Sequence, residues 1–143
     1  MQYVARFQPD DGGLLVTFPS LPEAITAGAD DAEATANAID ALEIVLLTYA
    51  EDGQPIPPAD RPPADGGHYV SISPSAAVSA KIAFIQAFRA SGMTRTALAA
   101  RLGKAENEVR RMLGPYHATK LQSLDDAMHV LGKRLVISVE EIP

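Results

Sequence analysis

The stretch Met93 to Gly114, MTRTALAARLGKAENEVRRMLG, constrains this chain more than any other. It reads as two short helices joined at Gly103. Leu98, Ala99, Leu102, Val109 and Leu113 supply the small apolar core that such a pair needs. Ala99 is small where two steeply crossing backbones must approach. Gly103 falls where the first helix stops and the chain turns, a position that often demands positive φ. Arg110 and Arg111 then project from the second helix. The pattern is that of a helix-turn-helix with its second helix placed to enter a DNA groove, and a plain helical hairpin in a small core would share it.

Charge divides the chain in two. The net charge is −6. Residues 1–75 hold two basic residues, Arg6 and Arg61, and twelve acidic ones, which gives −10, whereas residues 76–143 hold ten basic and six acidic, which gives +4. Phosphate neutralisation needs Lys and Arg on the contacting surface only, so the second half is free to meet nucleic acid while the first repels it. The acidic half suits a basic partner, although acidity also serves solubility. The chain has no cysteine, which excludes disulfides and thiolate metal sites. No apolar run approaches the ~20 residues that span a bilayer, and no secretory signal opens the chain. A cytoplasmic protein with no membrane contact is expected.

The N-terminal half predicts a small antiparallel sheet with a packed helix. Gln2 to Phe7 alternates as a strand, with Tyr3, Ala5 and Phe7 on one face. Pro9-Asp10-Asp11-Gly12-Gly13 is a hairpin turn. Leu14 to Phe18 returns, and Ile25-Thr26-Ala27 forms a brief third strand. A helix follows over Asp31 to Ala50, capped by Asp30 with Glu33 three residues on. Its apolar stripe is Ala38, Leu42, Val45, Leu46 and Tyr49. Glu51 to Gly67, with five prolines and three glycines, predicts an irregular surface loop. His68 to Ser73 is one more strand, and Pro74 closes the domain.

The C-terminal half, 75–143, predicts an all-α domain with a short terminal strand. Ser75 or Ser79 opens a helix carrying Val78, Ile82, Ile85 and Phe88, which Gly92 ends. Thr94 caps the next helix, and Arg95 beside it takes the place that the resemblance to a helix-turn-helix implies meets the DNA backbone. The groove-facing helix runs from Ala105 to Leu113 and shows Glu106, Asn107, Arg110 and Arg111 outward. Arg reads guanine, Asn adenine and Glu cytosine in such a position. Glu106 and Glu108 either read cytosines, pair with the arginines, or weaken DNA binding. His117, Thr119 and Lys120 follow as phosphate contacts. Leu124, Met128 and Leu131 suit a closing helix. Leu135, Ile137 and Val139 lie on one face of a terminal strand, an exposed edge suited to pairing with a second copy and so to a homodimer or higher oligomer.

Two groups of residues resemble a known family. Phe18-Pro19-Ser20-Leu21-Pro22, Thr26-Ala27-Gly28, an Ala-rich helix, Glu51-Asp52-Gly53 before Ile56-Pro57, and the upstream turn Asp11-Gly12-Gly13 look like the HicB-type antitoxins. Pro115-Tyr116-His117-Ala118-Thr119-Lys120-Leu121, then Leu124 and Leu131-Gly132, resemble their DNA-binding tail. The spacing from Thr94 to Gly132 is similar to the lambda-repressor/Cro type. Glu23-Ala24 departs from the Gly-Cys common in the family. The resemblance implies a pared-down RNase H-like domain over 1–74, an α+β chain overall, and an antitoxin that binds a small basic HicA-like RNA-cleaving toxin and operator DNA. Asp10, Asp11, Asp30 and Asp31 are the toxin contacts that charge suggests. A stand-alone helix-turn-helix regulator, whose N-terminal domain senses a ligand or dimerises, is the competing reading.

Catalysis is not expected. RNase H chemistry needs carboxylates converging from rigid strands onto two metal ions, and the expected strands Gln2–Phe7 and Leu14–Phe18 have none. His68, His117 and His129 share no ligand-like spacing, and no Gly-x-Ser-x-Gly elbow occurs. No metal or other cofactor is called for.

Overall fold

The computed structural model describes residues 1–142 as an α+β chain. Two compact units divide it, Met1–Ser79 and a second from Ala80 onward. The first contains a four-stranded antiparallel sheet in the order β3-β2-β1-β4, formed by β1 (Tyr3–Asp10), β2 (Gly13–Thr17), β3 (Ile25–Gly28) and β4 (Tyr69–Ile72). Helix α1 (Asp31–Asp52) packs on it.

The β1–β2 hairpin is tighter and longer than the sequence suggested. Asp10 pairs with Gly13, so only Asp11 and Gly12 remain in the turn, at φ 47° and 79°. Two consecutive positive φ values define a type I′ turn, whose twist matches that of the strands. Strand β1 therefore ends on a carboxylate, Asp10, where a carboxylate-free strand was expected. The register aligns Phe7 with Val16 and Val16 with Thr26. Tyr3, Ala5, Phe7, Val16 and Ile72, all buried, share the face carrying Gly28, since directly paired residues lie on one side of a sheet.

Gly28 explains how close α1 comes. A Cβ there would lie 2.3 Å from the Ala34 backbone nitrogen. Asp30 caps α1, its Oδ1 accepting the Glu33 N–H at 2.8 Å. Gly53, left-handed at φ 70°, ends it. The buried line on α1 is Ala34, Ala38, Leu42, Leu46 and Ala50, with Leu47 beside it. Val45 and Tyr49, expected in that stripe, are only half-buried. Four successive steps of i+4 keep small and branched aliphatic residues against the sheet, and Ala34 and Ala38 allow the close approach.

The proline-rich segment has no regular structure, yet it is fastened. Asp60 Oδ1 accepts the Val4 N–H at 2.7 Å, and Asp60 Oδ2 accepts the Ser20 hydroxyl. Tyr3 donates its hydroxyl to the Pro57 carbonyl at 2.7 Å. Burial raises the Tyr3 pKa, and the Asp60 charge adds to that effect.

Helix α2 (Ala76–Ser91) starts at Ser75, whose Oγ accepts the Val78 N–H at 3.3 Å. Helices α3 (Arg95–Leu102), α4 (Glu106–Met112) and α5 (Leu121–Val130) follow. Their core is Phe84, Ala87, Leu98, Ala99, Val109, Met112, Leu124, Ala127 and Met128. From α2, Phe84 and Ala87 enter that core and Ala80 and Phe88 pack against it. Ile82 and Ile85 are buried outside the cluster, and Val78 is half-buried. The expected α2 stripe is thus rotated by part of a turn.

The C-terminal strand is a correction. Residues 133–142 form neither strand nor helix. Leu135 packs against the helical core, while Ile137 and Val139 are 67% and 96% exposed. A strand needs a neighbouring backbone to satisfy its N–H and C=O groups, and residues 133–142 are paired with none.

Candidate nucleic-acid interface and acidic recess

Helices α3 and α4 are joined as the sequence indicates. Thr94 is extended at φ −82°, ψ 157°, and its Oγ1 accepts the Ala97 N–H at 3.1 Å. Gly103 is left-handed at φ 66°. The Lys104 N–H then reaches the Ala99 carbonyl at 3.0 Å. This satisfies a carbonyl that the helix end would leave without a partner. Ala105 precedes α4 without a side-chain cap.

Both glutamates of α4 are paired within the chain. Arg95 Nε lies 3.2 Å from Glu106 Oε1, and Lys104 Nζ lies 3.8 Å from Glu108 Oε2. Arg110 Nη2 donates to Asn107 Oδ1 at 2.6 Å. Of the roles open to the two glutamates, pairing with cations is the one the free chain adopts, though the cations are Arg95 and Lys104 rather than the arginines of α4. Glu106 and Glu108 also stand in the first turn, and Arg110 and Arg111 in the last, the arrangement that complements the helix dipole.

Lys104, Arg111, His117, Thr119 and Lys120 line a shallow recess of about 300 Å³ between the end of α4 and the start of α5. Glu108 is the carboxylate on its wall. Four of the nine residues expected at DNA therefore meet here: Arg111, His117, Thr119 and Lys120. Thr94 at the cap of α3, Arg95 on α3, and Glu106, Asn107 and Arg110 on α4 lie outside it.

Lys81 was missed by the sequence reading. It is 5% exposed. Its ammonium donates to the Met112 carbonyl at 2.6 Å and to Thr119 Oγ1 at 2.7 Å. Burial lowers its pKa to about 8, because desolvation disfavours the charged form. A signal existed: a lysine three residues before Phe84 sits on the apolar side of its helix.

In the N-terminal unit, Asp10, Asp11 and Glu33 line a second recess of about 330 Å³ at the hairpin tip and the start of α1. Asp30 and Asp31 are not part of its lining, and the Asp30 carboxylate is committed to the helix cap. The four residues expected to meet a partner thus separate into two at the recess and two on the helix start beside it. Among the described residues no group of three or more His, Cys, Asp or Glu could hold a metal ion. No described helix is long and apolar enough to cross a membrane.

Residues 2–83 match the family described as HicB_like antitoxin of bacterial toxin-antitoxin system. The chain belongs to this family. Its relatives extend the likeness beyond that segment. It is 35% identical over 141 residues to Antitoxin HicB 1 of Photorhabdus laumondii subsp. laumondii, covering 98% of this chain and 88% of that protein. It is 36% identical over 136 residues to Antitoxin HicB of Escherichia coli strain K12, covering 94% and 96%. The crystal structure of the N-terminal domain of Burkholderia pseudomallei antitoxin HicB aligns at 21% identity and a TM-score of 0.46, over 52% of this chain and 99% of that one. Membership of a HicB-like antitoxin family points to a regulator in a toxin–antitoxin system that acts through a toxin partner.

The family also frames Glu23-Ala24. Asp11 is the one non-glycine residue at positive φ among the described residues, so Glu23 stands where any L-residue is allowed. Its carboxylate accepts the Tyr49 hydroxyl at 2.8 and 2.9 Å. That hydrogen bond, first among the causes, raises the Tyr49 pKa. Ala24 is buried. Glu23 thus tethers its turn to α1.

Proposed function

We propose that this chain is the antitoxin of a type II toxin–antitoxin pair, with residues 1–74 binding and neutralising a small basic HicA-like mRNA interferase. Residues 75–143 bind the operator of the chain's own operon through a helix-turn-helix formed by α3 and α4, and repress it in the cytoplasm. The observation that carries this reading is the likeness to antitoxins named HicB along nearly the whole chain, at 35–36% identity. The opposite charge of the two halves supports the division of labour.

Neutralisation is steric masking aided by charge complementarity, with no covalent step. Asp10, Asp11 and Glu33 present carboxylates around one recess, where a lysine or arginine of the toxin finds three acceptors. On the DNA side, Arg110 and Asn107 reach base edges, while Arg95, Arg111, His117 and Lys120 meet phosphates. Glu106 hands Arg95 to a phosphate when DNA arrives. Operator binding is dimeric, with the exposed Ile137 and Val139 of the terminal segment pairing with a second copy, beyond Leu135 anchored in each core. RNA cleavage by the partner, followed with and without the full-length chain, tests the first activity. Mobility shift of the upstream DNA tests the second. Unchanged cleavage at equimolar antitoxin overturns the first, and no shift at physiological salt overturns the second.

A further inference from the structure

We propose that Lys81 is a positioning residue for the DNA-facing surface, holding the α4–α5 connection in place from inside the core; this rests on the operator-binding reading above. Lys81 is 5% exposed, so its ammonium serves partners within the chain. It binds two points that belong to the surface. One is the carbonyl of Met112, the last residue of α4, at 2.6 Å. That carbonyl has no partner within the helix, and it stands at the negative end of the dipole, where a cation is favoured. The other is Thr119 Oγ1 at 2.7 Å. The Thr119 hydroxyl in turn faces the His117 carbonyl at 3.4 Å.

A relay therefore runs from α2 through Lys81 to Thr119 and on to His117. It ties the end of α4 to the middle of the segment that lines the basic recess with Arg111 and Lys120. An apolar side chain of the same length would fill the space without the cost of burying an ammonium. What the lysine adds is direction: two short donated bonds fix where α4 ends and how the segment from Gly114 to Lys120 leaves it. Thr119, read from the sequence as a phosphate contact, has its hydroxyl engaged inward and acts through Lys81.

Full-length wild type, Lys81→Met, Thr119→Val, Thr119→Ser and the double variant K81M/T119V test this. Two quantities are read: affinity for the upstream operator DNA, and amide hydrogen exchange of Gly114 and Tyr116 to Lys120 in the DNA-free protein. K81M and T119V each weaken operator binding at least about tenfold and speed exchange in that segment. T119S keeps both properties of the wild type, and the double variant is no worse than either single one, because both remove the same relay. Additive losses in the double variant would place Thr119 directly on DNA and overturn the proposal. So would K81M with wild-type affinity and exchange. If K81M fails to fold, T119V against T119S decides by the same two readings. If wild type does not bind the operator, the DNA reading fails by itself, and the exchange data still decide whether Lys81 holds the segment.

Discussion

Arg95 Nε lies 3.2 Å from Glu106 Oε1, so the first residue of α3 is paired with the first residue of α4. The pair is exposed, and its contribution to stability is small, about 0–1 kcal/mol. Its consequence is electrostatic: a cation suited to phosphate is held by a carboxylate that repels phosphate. Glu106→Gln is expected to leave the melting temperature nearly unchanged and to tighten operator binding. The slope of log affinity against log salt should change little, because Arg95 reaches its phosphate in both proteins. Weaker binding with lost sequence preference would instead make Glu106 a base-reading residue.

Gly28 is where α1 touches the sheet. A Cβ there would sit 2.3 Å from Ala34 N and 2.6 Å from Ala34 Cα, both backbone atoms that cannot rotate away. Gly28→Ala should destabilise the N-terminal unit by about 3 kcal/mol, read as a lowered urea midpoint. An unchanged midpoint would mean that α1 does not lie this close.

Asp60 holds the proline-rich segment by both oxygens. Asp60→Ala leaves the Val4 N–H without its acceptor and should cost about 2 kcal/mol. Protease cleavage between Gln54 and Gly67 should accelerate with it. Wild-type resistance to cleavage would show that the prolines alone hold the segment.

Stability near Lys81 should depend on pH with a definite sign. Burial lowers its pKa from 10.5 to about 8. The folded value lies below the unfolded one, so the desolvation penalty is fully present below pH 8. It is relieved as pH rises from about 8 to 10.5. Urea unfolding of wild type should gain up to roughly 3 kcal/mol over that window relative to Lys81→Met. Parallel stability curves for the two proteins would contradict this.

The elements most legible in the sequence were those set by local chemistry. Asp30 and Thr94 announced helix starts because a short polar side chain can reach the N–H three residues on. Gly92 and Gly103 announced ends because each needs positive φ. Long-range partners were not legible. Nothing local tells that Lys81 meets Met112 and Thr119, or that Asp60 meets Val4 across 56 positions. Periodicity placed a stripe on α2 but not its phase, since Ile82, Ile85, Phe84 and Ala87 give nearly the whole helix an apolar surface. The terminal segment Leu135 to Val139 has strand composition without a strand, because pairing depends on a neighbour that local sequence cannot supply. The carboxylates at the hairpin were visible, but their convergence with Glu33 follows from the sheet register.

Charge at that convergence is expected to govern association. The triple variant Asp10→Asn, Asp11→Asn, Glu33→Gln keeps the side-chain shapes, and asparagine tolerates the left-handed backbone of Asp11. Its association rate with the toxin should fall, and the salt dependence of that rate should flatten. Loss of the Glu33 charge from the first turn of α1 costs about 0.5 kcal/mol. A rate equal to wild type at low salt would place the toxin on another face.

The central claim is tested most directly by co-expressing this chain with the small open reading frame beside its gene and purifying the chain by affinity. The account predicts that a small basic protein copurifies, and that this protein arrests growth when expressed alone and is silent in the complex. A harmless neighbour with nothing copurifying would contradict it.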